Sequence, residues 1–328
     1  MSARESVGSV LTFRSAIRKV DDFIGPNNAR LMVALAILAA IVAYASPYFL
    51  TEKNVVNVGQ AVAVLGILVI AETIVVISGG LDLSVGSVPA LCGVVAASLI
   101  ASTHNPVVGL AGAVAVGAVA GLINGLLIVF GRVNAIIATL ATLTVYEGVA
   151  LVVSQGGVIG INDAAYNTIG SGRLLDIPIP VLILLVMAAG AHVFMRYTDY
   201  GRHVYAMGDN PGAARLAGLP LDRLRISLYV MAGAASGLAG IVLSARATGA
   251  SPLQGQNLEF DVITAVFLGG TAMAGGRGTV AGAMLAVVIL GTVYNGFILA
   301  QVPGFYQYIA KGVLLAGAVV IQERNRTR

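Results

Sequence analysis

The chain has 328 residues, 58% of them hydrophobic and only 10% charged, with a mean hydropathy of +0.91. Soluble domains carry about 25% charged residues, so a soluble globular fold is excluded, and the net charge of +4 reports on membrane orientation instead of an acidic or nucleic-acid partner. A single cysteine, Cys92, and three histidines without ligand spacing, His104, His192 and His203, leave no disulfide framework and point away from a metal centre.

Residues 1–30 are polar and carry Arg4, Arg14, Arg18, Lys19 and Arg30. The apolar run from Leu31 is longer than a signal-peptide core, and Ala43-Tyr44-Ala45 is a poor cleavage site, so it reads as an uncleaved first span. A bilayer core needs about 20 apolar residues per helix. Ten runs approach that length, near 31–49, 58–77, 85–102, 107–130, 134–153, 179–195, 226–245, 260–275, 280–300 and 305–321. Glycines 269, 270, 275 and 276 interrupt the eighth, and Lys311 lies within the tenth. With the amino terminus inside, fifteen cations fall on the cytoplasmic side and three, Lys53, Arg173 and Arg246, outside. That bias favours ten spans over nine. The expected fold is all-α and polytopic, with about ten transmembrane helices and both termini cytoplasmic: a segment 1–30, one transmembrane domain 31–321 and a basic tail 322–328.

Between the second and third runs, Ser78-Gly79-Gly80-Leu81-Asp82-Leu83-Ser84-Val85-Gly86-Ser87 reads as a break within the membrane, where Asp82, Ser84 and Ser87 cap a new helix or bond exposed backbone. Direct contact with a solute is the alternative. In the fourth run Gly109, Ala113, Gly117, Gly121 and Gly125 recur every four residues, a small-residue face that admits another backbone, and Gly233 with Gly237 repeat the spacing in the seventh. The connection 154–178 is the longest external one and reads as a solvated connector or as a docking edge for an external partner. Gly79-Gly80 and Asn124-Gly125 have a faint echo in Gly269-Gly270 and Asn295-Gly296, the pattern of an inverted repeat.

Ionisable groups inside apolar runs are costly unless paired or hydrated. Glu72, Glu147 and Lys311 are of this kind. With Gln60, Asp82, Asn124, Asn134, Thr139, Tyr146 and Asn295, the two glutamates form a candidate lining for a translocation pathway, although many such groups serve only to satisfy helix backbone. No lysine occurs in a phosphate-binding GxxxxGK[ST] context, so the chain has no nucleotide site of its own to drive transport.

The one stretch that resembles soluble surface is 196–225, with Arg196, Arg202, Arg215, Arg223 and Arg225. It contains a short helix whose ends are legible: Asn210 as cap, Pro211 in the first position, Gly218 at the exit and Pro220 beyond. So short a helix is not stable alone.

Taken together, ISGGLDLSVGS (77–87), GLINGLLI (121–128), NAIIATLATLTVYEGVA (134–150), YGRHVYAMGDNPGAARLAGLP (200–220) and LEFDVITAVFLGGTAMAGGRGTVAG (258–282) resemble the ribose-type, or monosaccharide, ABC importer permeases, in the same order over about residues 55–320. The resemblance implies a bacterial inner-membrane permease that works with a second permease copy, a cytoplasmic ATPase that binds the ATP and Mg, and a periplasmic or lipid-anchored sugar-binding protein. This chain itself would bind no cofactor and catalyse no reaction. It also implies that Asp209, Asn210, Pro211, Ala213, Ala214, Arg215, Leu216, Ala217 and Gly218 form the element coupled to the ATPase. Ala213, Ala214, Leu216 and Ala217 would then fill a groove of the motor and Arg215 would pair with an acid at its rim, while Gly212 stands where other ABC permeases have a glutamate. An ion-coupled carrier using Glu72 and Glu147, a membrane-lipid enzyme and a scaffold without transport remain alternatives, as do branched-chain amino acids or nucleosides as solute.

Overall fold

In the computed structural model, backbone is described for residues 26–326. Most of the expected N-terminal segment 1–30 and the last two residues of the expected tail 322–328 lie outside the described residues.

Among the described residues the chain forms thirteen α-helices: α1 (Pro26–Ala45), α2 (Glu52–Ile77), α3 (Val88–Thr103), α4 (Pro106–Val129), α5 (Ala135–Ser154), α6 (Ala164–Ser171), α7 (Ile179–Tyr197), α8 (Asp199–Asp209), α9 (Pro211–Leu216), α10 (Leu221–Arg246), α11 (Leu258–Leu268), α12 (Val280–Leu299) and α13 (Phe305–Arg326). Seven of them, α1, α2, α4, α5, α7, α10 and α12, are long and apolar enough to cross a membrane, and α3 and α13 carry shorter apolar stretches. Two-residue strands form two small antiparallel pairs: β1 (Ile159–Gly160) with β4 (Gly249–Ala250), and β2 (Arg173–Leu174) with β3 (Ile177–Pro178).

Each of the ten expected spans has a helix, and two differ in kind. The third begins at Val88, because residues 79–87 run as irregular chain with one short 3₁₀ turn, Leu83–Gly86. The eighth ends at Leu268 and not at 275: α11 has 11 residues, and beyond it Gly270, Gly275, Gly276 and Gly278 all have positive φ. Glycine adopts that backbone freely where other residues do not, so a helix cannot continue through it.

At the centre lies α2, whose residues from Val62 to Ile77 are all buried. Its neighbour α10 packs along α4 with backbone touching backbone. A Cβ placed on Gly117 would lie 2.2 Å from the Gly233 carbonyl oxygen, and one on Gly233 would lie 2.0 Å from that of Gly117. The small-residue stripe read from the sequence is this contact. Around it, α5 and α7 leave Leu140, Val145, Val152, Leu185 and Val186 exposed, an apolar surface suited to lipid or another apolar partner.

The cations sort to the two ends of the helices. Arg173 pairs with Glu52 at 3.7 Å, and Gly170 packs on the backbone of Arg246, so the cations counted as external share one end. Gly276 packs on Asp209, which brings Arg277 to the arginine-rich 196–225 segment at the other. The 154–178 connection is folded down: Asp163 caps α6 through Tyr166 N at 2.8 Å, and the buried Tyr166 hydroxyl bonds Ser244 on α10 at 2.8 Å.

The glycine pairs of the suspected inverted repeat occupy like places with different backbone geometry. Gly79-Gly80 and Gly269-Gly270 follow the ends of α2 and α11, with φ +82° at Gly79 and +89° at Gly270. Asn124 bonds Ser84 just past the first break, whereas Asn295 exchanges hydrogen bonds with Asn54 on α2.

Candidate functional site: a cavity, a buried strap and a capped surface helix

Irregular backbone inside an apolar bundle must find partners for its N–H and C=O groups. In the 79–87 strap the N–H groups of Gly79, Gly80 and Ser87 donate to backbone carbonyls, while those of residues 81–84 are met by side chains. Tyr229 donates to Leu81 O at 3.1 Å, the Asp82 N–H donates to Glu72 Oε1 at 2.9 Å, and the Leu83 N–H donates to Thr139 Oγ1 at 3.1 Å. Asp82 Oδ1 accepts from Ser84 N at 2.9 Å and from Ser84 Oγ at 2.6 Å. Asn124 Nδ2 reaches Ser84 Oγ at 2.8 Å and Asp82 Oδ1 at 3.3 Å, and its Oδ1 accepts from Thr142 at 2.7 Å and from Tyr146 at 3.2 Å. Five of the nine candidate pathway residues, Glu72, Asp82, Asn124, Thr139 and Tyr146, therefore meet in one buried network directed at the strap.

The other four separate. Gln60 is half-buried on α2 away from the network, and Asn134 is exposed, its Oδ1 capping α5 through Ile136 N at 2.9 Å. Asn295 takes the Asn54 pairing already described. Glu147 alone lines an open cavity, about 280 Å³, with Gly86, Ser87, Leu143, Pro252, Gln256, Asn257 and Glu259. Gln256 Nε2 donates to Glu147 Oε1 at 3.0 Å. Glu259, in the first turn of α11, lies against Gly86 so closely that a Cβ there would be 2.0 Å from its Oε2. A Cβ on Gly255 would lie 2.0 Å from Gly86 O, so the strap and the 247–257 segment touch within the cavity wall. This wall presents carboxylate, amide and hydroxyl groups, able to accept and donate hydrogen bonds to a hydroxylated solute. Glu259, Gln256 and Asn257 escape a sequence reading because they lie at the end of a run, where polar residues are expected anyway.

Lys311 is paired and does not line the cavity. Its Nζ lies 2.5 Å from Asp261 Oδ2, and Tyr294 donates to Asp261 Oδ1 at 2.7 Å, tying α11 to α12 and α13.

The surface helix α9 has the ends its sequence announces. Asn210 Oδ1 accepts from Ala213 N at 3.0 Å, and Gly218, at φ +84°, lets Leu219 N return to Ala214 O at 3.1 Å. Asp209, Asn210, Pro211, Ala213, Arg215, Ala217 and Gly218 are exposed, as is Leu216 at 92%. One placement differs: Ala214 is only 5% exposed and faces its own chain, away from any external groove, while Arg215 stays exposed, 3.7 Å from Asp222 of the same chain. The preceding helix α8 has no forecast in the sequence reading. It packs through Val204 and Met207, while Tyr205 bonds Gly278 O at 2.9 Å and Tyr200 bonds Ser227.

Residues 54–319 match the family model described as "Branched-chain amino acid transport system / permease component". The ribose import permease protein RbsC of Escherichia coli (strain K12) is 38% identical over 299 residues, 90% of this chain and 93% of that protein. Its counterpart in Bacillus subtilis (strain 168) is 38% identical over 316 residues, 95% of both chains. The L-arabinose ABC transporter permease protein AraH of Azospirillum brasilense is 36% identical over 302 residues, 92% of this chain and 89% of that one. No solved structure matches the chain. The match over most of the bundle makes this chain a member of the family of ABC importer permeases described as the permease component of branched-chain amino acid transport systems, a multi-pass protein of the inner membrane.

Proposed function

We propose that the chain is the solute channel of an ATP-driven importer for a monosaccharide or related polyol. It works as one of two permease copies, with a cytoplasmic ATPase carrying ATP and Mg and a periplasmic or lipid-anchored sugar-binding protein. The observation that carries this reading is α9: a fully capped helix that holds Leu216 in the open, at the arginine-rich end of a chain with no phosphate loop. Positive residues favour the cytoplasm, so α9 and both termini lie inside the cell, with Lys53, Arg173 and Arg246 outside, across ten membrane crossings. Closure of the ATPase draws the two α9 helices together and switches the bundle between inward-open and outward-open states.

The names of the relatives support ribose or arabinose as the solute class, and the cavity agrees with them. Glu147 and Glu259 accept hydrogen bonds from hydroxyls and repel anions, while Gln256 and Asn257 donate. The family description favours a second reading, a branched-chain amino acid, whose ammonium group could meet the same two glutamates, while the names of the relatives favour a sugar. Vesicles containing the chain, its ATPase and the external binding protein should accumulate ribose or L-arabinose only with ATP present. Uptake driven by an ion gradient without ATP, or of leucine in place of sugar, would reject the proposal.

A further inference from the structure

The surface helix α9 follows directly from a place where three segments touch through bare backbone. Near the end of α8, a Cβ on Gly208 would lie 1.8 Å from Ile77 O at the end of α2 and 2.5 Å from Gly276 N. A Cβ on Gly275 would lie 2.9 Å from Gly79 Cα and 3.1 Å from Gly208 Cα, and Gly276 N donates to Ile77 O at 2.8 Å. Gly79, Gly275 and Gly276 have φ of +82°, +88° and +73°, open to glycine at no steric cost. Contacts of this kind have no rotamers through which to yield, so they pass a displacement on with little give.

Two of the three segments run from this junction to the cavity. The strap starts at Gly79 and ends at Gly86 and Ser87 in the cavity wall. The 269–276 segment leads back through α11, about 16 Å long at roughly 1.5 Å per residue, to Glu259 in the same wall. Their far ends meet at Gly86 and Gly255.

We propose that Gly79, Gly208, Gly275 and Gly276 are positioning residues for transport: a rigid joint that carries the displacement of α9 into two walls of the cavity at once. The proposal rests on the transport reading above. Movement of α9 then reshapes the cavity from both sides at once.

The test uses the complete complex in vesicles with ribose as probe. Gly208→Ala is expected to assemble with the ATPase and hydrolyse ATP at the basal rate, yet to lower ribose uptake at least tenfold and lose stimulation by the ribose-loaded binding protein. Gly317→Ala, with no atom within 4 Å of the added Cβ, keeps uptake within twofold. Wild-type uptake and stimulation in Gly208→Ala overturn the proposal. Should that variant fail to assemble, amide hydrogen exchange on the wild-type complex decides the matter. The Gly276 N–H, bonded to Ile77 O at 2.8 Å, is expected to stay equally protected with and without ATP and the ribose-loaded binding protein; faster exchange at Gly276 when ATP binds means that the joint opens and refutes rigidity. Absence of ATP-dependent uptake in the wild-type complex strikes the transport reading itself, and is visible before any variant is compared.

Discussion

Replacing Gly117 by alanine tests the α4–α10 contact at its tightest point. The added methyl would lie 2.2 Å from Gly233 O, 3.0 Å from Gly233 C and 3.1 Å from Gly237 N. All three are backbone atoms, so no side chain can swing aside. Relief to an ordinary separation of about 3.5 Å moves the helices apart by roughly 1 Å, and a gap of that size forfeits about a quarter to a half of each neighbouring van der Waals contact. With about 20 atom pairs affected at roughly 0.15 kcal/mol each, the lost packing is about 1 kcal/mol. Strain in overpacked cores adds about 1–3 kcal/mol, for a total near 3 kcal/mol. At roughly 2–4 °C per kcal/mol, the melting midpoint in detergent should fall by about 6–12 °C. The chain has no tryptophan, so the loss of folded protein is best followed by size exclusion of a fluorescently tagged chain. Gly312→Ala is the control: it sits on α13 with nothing within 4 Å of the new Cβ, and helix propensity alone favours it by up to about 1 kcal/mol. If Gly117→Ala and Gly312→Ala melt together, the backbone contact does not hold these helices and the reasoning fails.

Three further outcomes follow from the described geometry. Lys311→Met leaves Asp261 buried without its cation and should cost about 3–5 kcal/mol; adding Asp261→Asn should recover part of the lost thermal stability, and failure to recover any would show that the pair is not coupled. Asn124→Ala strips partners from Asp82, Ser84, Thr142 and Tyr146 together, so a loss above about 2 kcal/mol is expected, against less than about 0.5 kcal/mol for Thr144→Ala on the exposed face of α5; equal melting of the two would refute the strap network. Leu216→Ala should leave the melting midpoint unchanged while weakening the ATPase complex by about 10- to 100-fold, the equivalent of burying one leucine side chain; tight complex formation by this variant would remove α9 from the interface.

What could be read from the sequence was whatever depends on neighbours close in the chain. Asn210, Pro211 and Gly218 mark the ends of α9 because caps act over three or four residues, and the four-residue glycine spacing marks a helix face without knowledge of its partner. The Lys311–Asp261 pair was not legible, since fifty positions separate the two and nothing local tells an ion pair from a pathway. Asn134 illustrates the reverse error: a polar residue at the edge of an apolar run is as fit to cap a helix as to line a path, and only the course of α5 decides. Glu72 and Tyr146 stand out as polar groups in apolar runs, but their partners, the strap N–H of Asp82 for Glu72 and Ala120 O with Asn124 on α4 for Tyr146, are visible only once the bundle is assembled. The shortness of α11 was hinted at by its following glycines, though composition alone could not say whether they bend a helix or end it.

The mutual approach of Gly117 and Gly233 also restricts how the molecule can move. Helices separated by side chains can shear past one another as rotamers change, whereas two helices whose carbonyls fill each other's glycine notches are keyed against sliding. The helices α4 and α10 therefore behave as one beam. By contrast α7 meets α2 through the Leu184 side chain at Gly66, where a Cβ would find only the tip of a leucine at 2.6 Å. Sliding is therefore cheaper at that seam than at the other, where the glycine-keyed pair serves as a fixed frame.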